Sequence, residues 1–229
     1  MCGRYSFAQL SEEVEKRFKI QVDGNTYVAR YNAAPGQKLG VITNFQPQKL
    51  NFFHWGLLPP WAKDPRMAYQ MINARAESLQ EKPAFKKAYV SQRCIIPADG
   101  FYEWKKVNKQ KVPHYIRLKS QEMFAFAGLW EAWKDVEGKI KNTFTIITTE
   151  ANELMKPLHH RMPVILPHHL EKEWLGNSRI KDLQLMLQPF DNSKMETFEV
   201  SSLVNKAENE GEKLIEPYQS EQQMSLFED

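Results

Sequence analysis

A chain of 229 residues, 42% of them hydrophobic and 12% aromatic, carries enough apolar mass for a full core, which excludes global disorder. No apolar run approaches the roughly 20 residues that span a bilayer as a helix, so helical membrane classes are excluded too. The net charge of +3 divides unevenly: two lysines against seven acids from Lys206 onward leave 29 basic and 21 acidic residues in 1–205, a basic body suited to a polyanion.

The opening MCGRYSFAQL lacks a basic segment followed by a long apolar stretch, so no secretory signal is expected. Two cysteines, Cys2 and Cys94, cannot build a multi-disulfide framework, and a reducing, cytoplasmic setting is expected. Leu10, Val14 and Phe18 recur every four residues behind Ser11, which predicts a short amphipathic helix capped by that serine. From Lys38 to Trp55 the β-branched and aromatic runs predict strands. WGLLPPWAKDP (55–65) holds three prolines among eleven residues and predicts an irregular loop. RCIIPADGFYEWKKV, PHYIRLK, MFAFAGLWEAW and NTFTIITTEAN predict four further strands, spanning 93–152. Helical patterns return at 168–175 and 179–187, and no repeat or low-complexity block precedes residue 206. Consecutive strands with few helices predict an α+β fold around a curled, mainly antiparallel sheet.

Cys2 is the most informative position for chemistry. Small second residues permit removal of Met1, which would leave an α-amine and a thiol on one residue. The amine has a pKa near ~8 and the thiol near ~8.5, lowered where a cation lies close. Arg4 is the candidate cation. A 1,2-aminothiol condenses with an aldehyde to an imine, and the sulfur then closes a five-membered thiazolidine. The plain alternative is an incidental cysteine near a terminus. MINARAES alternates Asn73, Arg75 and Glu77 onto one face of an extended segment, ADGFYEWK sets Glu103 in an aromatic strand, and LHHRMPVIL places His159 and Arg161 before an apolar run. Each of these also reads as a satisfied amide, a buried ion pair or a capped histidine. Cys94 reads as an ordinary buried strand thiol. No P-loop, GxGxxG or paired CxxC occurs, and the adjacent His168 and His169 are weak grounds for a metal, so no cofactor is expected.

Taken together, eight blocks resemble the SRAP (SOS-response-associated peptidase) family: MCGRY, RYNAAPGQ, WGLLPPW, INARAES, RCIIPADGFYEWK, FAGLWE, FTIITTEAN and HHRMPVIL, in the family's order over residues 1 to about 205. The resemblance implies one α+β domain over 1–205 with a bifurcated, barrel-like sheet and a basic groove for single-stranded DNA leading to Cys2. It implies that Cys2, once Met1 is removed, forms a reversible thiazolidine with the ring-opened sugar of an abasic site. Asn73 would orient the sugar, Glu103 would handle protons in the imine chemistry and its reversal, and His159 would assist ring opening. Arg4, Arg75 and Arg161 resemble the family's phosphate contacts, and Asn32, Pro35 and Trp61 its groove residues. A nucleoid-associated location in the cytoplasm follows from that target.

Two rivals stay open. One is an N-terminal-nucleophile peptidase in which the Cys2 thiolate attacks amides; the other is a passive single-strand-binding module. The residues after 205 are polar and acidic, which predicts a flexible tail. Within it Gln223, Leu226 and Phe227 resemble the short motif that binds the bacterial sliding clamp, against the plain reading of a frayed terminus.

Overall fold

The computed structural model describes residues 2–218. In chain order they form β1 (Tyr5–Phe7), α1 (Ser11–Phe18), β2 (Arg30–Ala33), β3 (Lys38–Thr43), β4 (Gln46–Trp55) and β5 (Asn73–Arg75). There follow α2 (Pro83–Ser91), β6 (Arg93–Ala98), β7 (Gly100–Val107), β8 (Gln110–Leu118), β9 (Phe124–Lys134) and β10 (Ile140–Glu150). β11 (Arg161–Pro163), β12 (Ile165–Leu166), α3 (His168–Leu175), α4 (Ile180–Leu185) and β13 (Met195–Glu199) complete the set. The architecture is α+β, as the strand-rich patterning predicts. Among the described residues no helix is long and apolar enough to cross a membrane.

Two sheets organise the molecule. One runs β13-β8-β7-β1-β2, antiparallel throughout. The other closes on itself: β10 pairs β4, β4 pairs β3, β3 pairs β6, β6 pairs β9, and β9 returns to β10, a five-stranded barrel. Closure removes the unpaired edges that invite aggregation. The barrel is split at β10. Near residues 144–148 that strand exchanges β4 for β5 along one edge and β9 for β11 along the other. Asn73 and Arg161 enter the structure at this split.

Three expectations are corrected. The segment 93–107 is two strands in different sheets, turning a corner at Asp99 and Gly100. The cause is a buried polar knot: the Ser6 hydroxyl donates to Asp99, Ala8 N–H donates to Asp99 at 2.6 Å, and the Tyr115 hydroxyl reaches both Ser6 and Asp99. Burial pushes the Asp99 carboxyl up from its ordinary range, and these hydrogen bonds oppose that. Ser11 is not a cap; it is the first helical residue, and Glu13 accepts from the Leu10 N–H instead. Of the three spaced apolar residues only Val14 is fully buried, Phe18 packs partly against the core and Leu10 is exposed. The packed body also runs past 205 to 218. Leu214 is buried against Tyr102 and Tyr115, and Glu210 accepts from the Tyr31 N–H at 2.7 Å, anchors that a charge count conceals. The motif at 223–227 lies outside the described residues.

Gly100 is required by contact: a Cβ there would come within 2.1 Å of the Tyr115 ring. Gly100→Ala should therefore cost about 2–3 kcal/mol, read from the urea midpoint, because neither the ring nor the buried knot has room to yield.

Candidate active site

The amino terminus is laid beside β7. Tyr102 N–H donates to the Arg4 carbonyl at 3.0 Å, which extends the β1–β7 ladder by a rung and brings Cys2 alongside Glu103. Asn73, at the start of β5, donates from Nδ2 to the Cys2 carbonyl at 2.8 Å, while its buried Oδ1 has no partner among the described residues. An acceptor left open beside the cysteine is suited to a ligand hydroxyl. Cys2 itself is 0% exposed, with its thiol 3.8 Å from the Arg4 carbonyl. The expected role of Arg4 as the cation that acidifies this thiol is overturned. Burial pushes the thiol up to about 12, the Glu103 carboxylate pushes the same way, and Arg4 presents its carbonyl rather than its guanidinium.

Glu103 is 6% exposed, and burial raises its carboxyl to about 7, against the opposing charge of the amino terminus. It is thus divided between acid and carboxylate at neutral pH. His159 lies in the connection from β10 to β11, its ring stacked on His160 at 4.2 Å between centroids. Burial lowers its pKa, and the amino-terminal charge acts in the same direction. Arg161 N–H donates to His159 Nδ1 at 2.9 Å, so the neutral ring carries its proton on Nε2. The electrostatics of Cys2, Glu103 and His159 all register the same terminus, and Asn73 bonds Cys2 directly. The four expected chemical residues are brought together.

The expected DNA contacts divide into two groups. Arg75 is exposed and free of ion pairs among the described residues, and Trp61 is 54% exposed. Pro35 is half-buried in the turn between β2 and β3, where Gly36 N–H donates to Trp55. The loop bearing Trp61 is pinned by Trp133 Nε1 donating to Ala62 at 2.8 Å, and it runs directly into β5. Tyr69, on the same loop and packed over Gly36, is a second exposed aromatic that sequence reading missed.

Arg4, Asn32 and Arg161 are committed elsewhere. Arg161, 8% exposed, forks onto Glu77 at 2.8 and 3.0 Å and donates to Thr148 O at 2.6 Å, so it braces the loop of His159 rather than facing open groove. Arg4 donates to Asn32 Oδ1 at 2.7 Å and Val204 O at 2.8 Å, beside the Trp104 ring. Asn32 is fully buried and shares its amide hydrogens among the carbonyls of Val204, Lys206 and Asn209, anchoring the 204–209 segment. Among the described residues no group of three or more metal-ligating side chains occurs.

Residues 1–207 match the family model described as SOS response associated peptidase (SRAP). The chain is 49% identical over 224 residues to the abasic site processing protein YoqW of Bacillus subtilis, covering 95% of this chain and all of that one. It is 28% identical to the abasic site processing protein HMCES of Xenopus tropicalis, covering 91% of this chain and 76% of that protein. A crystal structure of a Bacteroides thetaiotaomicron protein superimposes with a TM-score of 0.88 at 28% identity, covering 95% of this chain and all of that one. A family match over nearly the whole chain, with relatives of this identity, makes the protein a member of the SRAP family.

Proposed function

We propose that this protein senses abasic sites in single-stranded DNA and shields them by a covalent, reversible thiazolidine through Cys2, after Met1 is removed by an aminopeptidase or by the protein itself. The observation that carries this reading is geometric: Asn73 bonds the Cys2 carbonyl and leaves its own Oδ1 open beside the cysteine, with Glu103 alongside, and burial raises the thiol to about 12 and the carboxyl to about 7. A thiol of that kind is not a thiolate at neutral pH, which disfavours the amide-attacking peptidase. An amine-first route suits it better. The terminal amine adds to the sugar aldehyde, Glu103 as acid supplies the proton that leaves with water, and the thiol then adds to the iminium carbon. Its proton passes to the Glu103 carboxylate as the ring closes. Asn73 Oδ1 accepts from a sugar hydroxyl, and His159 donates from Nε2 to the ring oxygen as the sugar opens.

The test is a denaturing gel of the protein incubated with a single strand bearing one abasic site. A shifted band that survives boiling and vanishes in Cys2→Ala is expected. Absence of the band in the parent protein removes the crosslinking reading, and its persistence in Cys2→Ala removes Cys2 from it.

Affinity for undamaged strands should fall with salt as phosphate contacts release counterions. Arg75→Ala should flatten the log–log slope by about 0.7, the share of one contact on a single strand. Arg161→Ala should leave the slope unchanged and lower the melting temperature, since Arg161 holds Glu77 and Thr148. A slope unaltered by Arg75→Ala assigns the phosphates to other cations.

A further inference from the structure

Strand β8 sets His114 directly across from Glu103 on β7 and, along its other edge, across from Glu199 on β13. Cross-strand partners project from one face of a sheet with Cβ atoms about 4.5–5.5 Å apart. Carboxyl, imidazole and carboxyl therefore form a row across three strands. The row one residue along, on the opposite face, has the same register and is in contact: Tyr102, Tyr115 and Phe198 touch in turn, with centroids 5.0 and 5.8 Å apart. The registered pair Arg117 and Glu196 likewise bonds across β8 and β13 at 2.7 Å. Exposure rises along the titratable row, from buried Glu103 through half-buried His114 to exposed Glu199. His114 Nδ1 lies 3.1 Å from the Val112 carbonyl, which can only accept, so Nδ1 donates and Nε2 is the nitrogen left to exchange a proton.

We infer that His114 is a positioning residue for Glu103 and that the row Glu103–His114–Glu199 carries protons between the active site and the surface. The inference rests on the crosslinking reading above. Counted from the protonated terminal amine, one amine, one aldehyde and one thiol give one thiazolidine, one water and one proton. That proton originates where Cys2 and Glu103 are buried, and reversal needs one to return. Outward, the Glu103 carboxyl passes a proton to His114 Nε2, and the imidazolium releases it through the Glu199 carboxylate to solvent; reversal runs the same transfers backward. The other charged groups that act on the row are Lys105, two residues along β7 on the same face, Lys111, which lies on the opposite face but whose charge acts on Glu103, and the amino terminus with Cys2.

The experiment times crosslink formation on a saturating abasic strand across pH 5.5–9, for the parent protein, His114→Phe, His114→Gln and Glu199→Gln, with and without added imidazole. His114→Phe should crosslink at least about fivefold more slowly near neutrality, with undamaged-strand affinity and melting temperature unchanged. Added imidazole should restore much of its rate and leave the parent unmoved, and Glu199→Gln should be slowed less. Parental rates and pH profiles in both His114 variants overturn the inference, as does slowing that imidazole does not relieve. Where His114→Phe fails to fold, His114→Gln decides by the same criteria. A parent protein, shown by mass to begin at Cys2, that forms no crosslink overturns the proposed function itself; a normal parent with unmoved variants overturns only the row.

Discussion

A protein that keeps Met1 should lose heat-stable crosslinking by at least about a thousandfold, while its affinity for undamaged single strands changes by less than a few-fold. The thiazolidine ring is built from the amine nitrogen, Cα, Cβ and sulfur of one residue together with the aldehyde carbon. With Met1 in place the nitrogen of Cys2 is an amide and cannot attack. The thiol alone gives a hemithioacetal that falls apart on boiling. Ring closure within one residue draws on effective molarities of roughly 10⁵–10⁸ M, and none of that is available to a free thiol. The clean comparison is one protein carrying a cleavable extension before Cys2, assayed before and after cleavage and checked by intact mass. Equal crosslinking by both forms would discard the amine-first route.

The second large effect is at Glu103. Glu103→Gln keeps the shape and removes the transferable proton, so formation and reversal should both slow by about a hundredfold or more. In the parent the acid-dependent limb of the rate should bend near pH 7, where burial has placed this carboxyl, and fall above it; the limb should be absent from the variant. Stability should move the other way. The folded carboxyl holds its proton up to about 7 while the unfolded one releases it near 4.5, so folding loses stability as pH rises through that window. Glu103→Gln escapes the loss and should be more stable at pH 8 by about 1–3 kcal/mol. A variant that is both inactive and less stable would mark Glu103 as an anchor of the fold instead.

The sheet class was legible because β-branched and aromatic runs repeat between turn residues. The corner at Asp99 was not, because RCIIPADGFYEWKKV reads as one extended run until Ser6 and Tyr115 close on the carboxyl from distant strands. The blocks around Cys2, Asn73, Glu103 and His159 were readable as a set only by family resemblance; nothing in local pattern links residues 71 positions apart, as Asn73 and Cys2 are. The arginines show the limit of reading charge. Arg4 and Arg161 count as cations in sequence, yet the fold commits the first to Asn32 and the second to Glu77, and leaves Arg75 exposed. His114 was invisible for a related reason: its significance comes from strand register, which pairs it with Glu103 and Glu199.

The burial of Cys2 sets a timetable for synthesis. The residue is made second, yet the side chains beside it come from β5 and β7. At roughly 5–20 residues per second, the ribosome needs about 5–20 s to deliver Glu103 after Cys2. During that interval the amino terminus hangs free and open to an aminopeptidase. Once β1 docks along β7 the cysteine is sealed. On the proposed function, maturation becomes a race between processing and folding, and a faster-translating host should accumulate well-folded chains whose Cys2 nitrogen stays blocked as an amide.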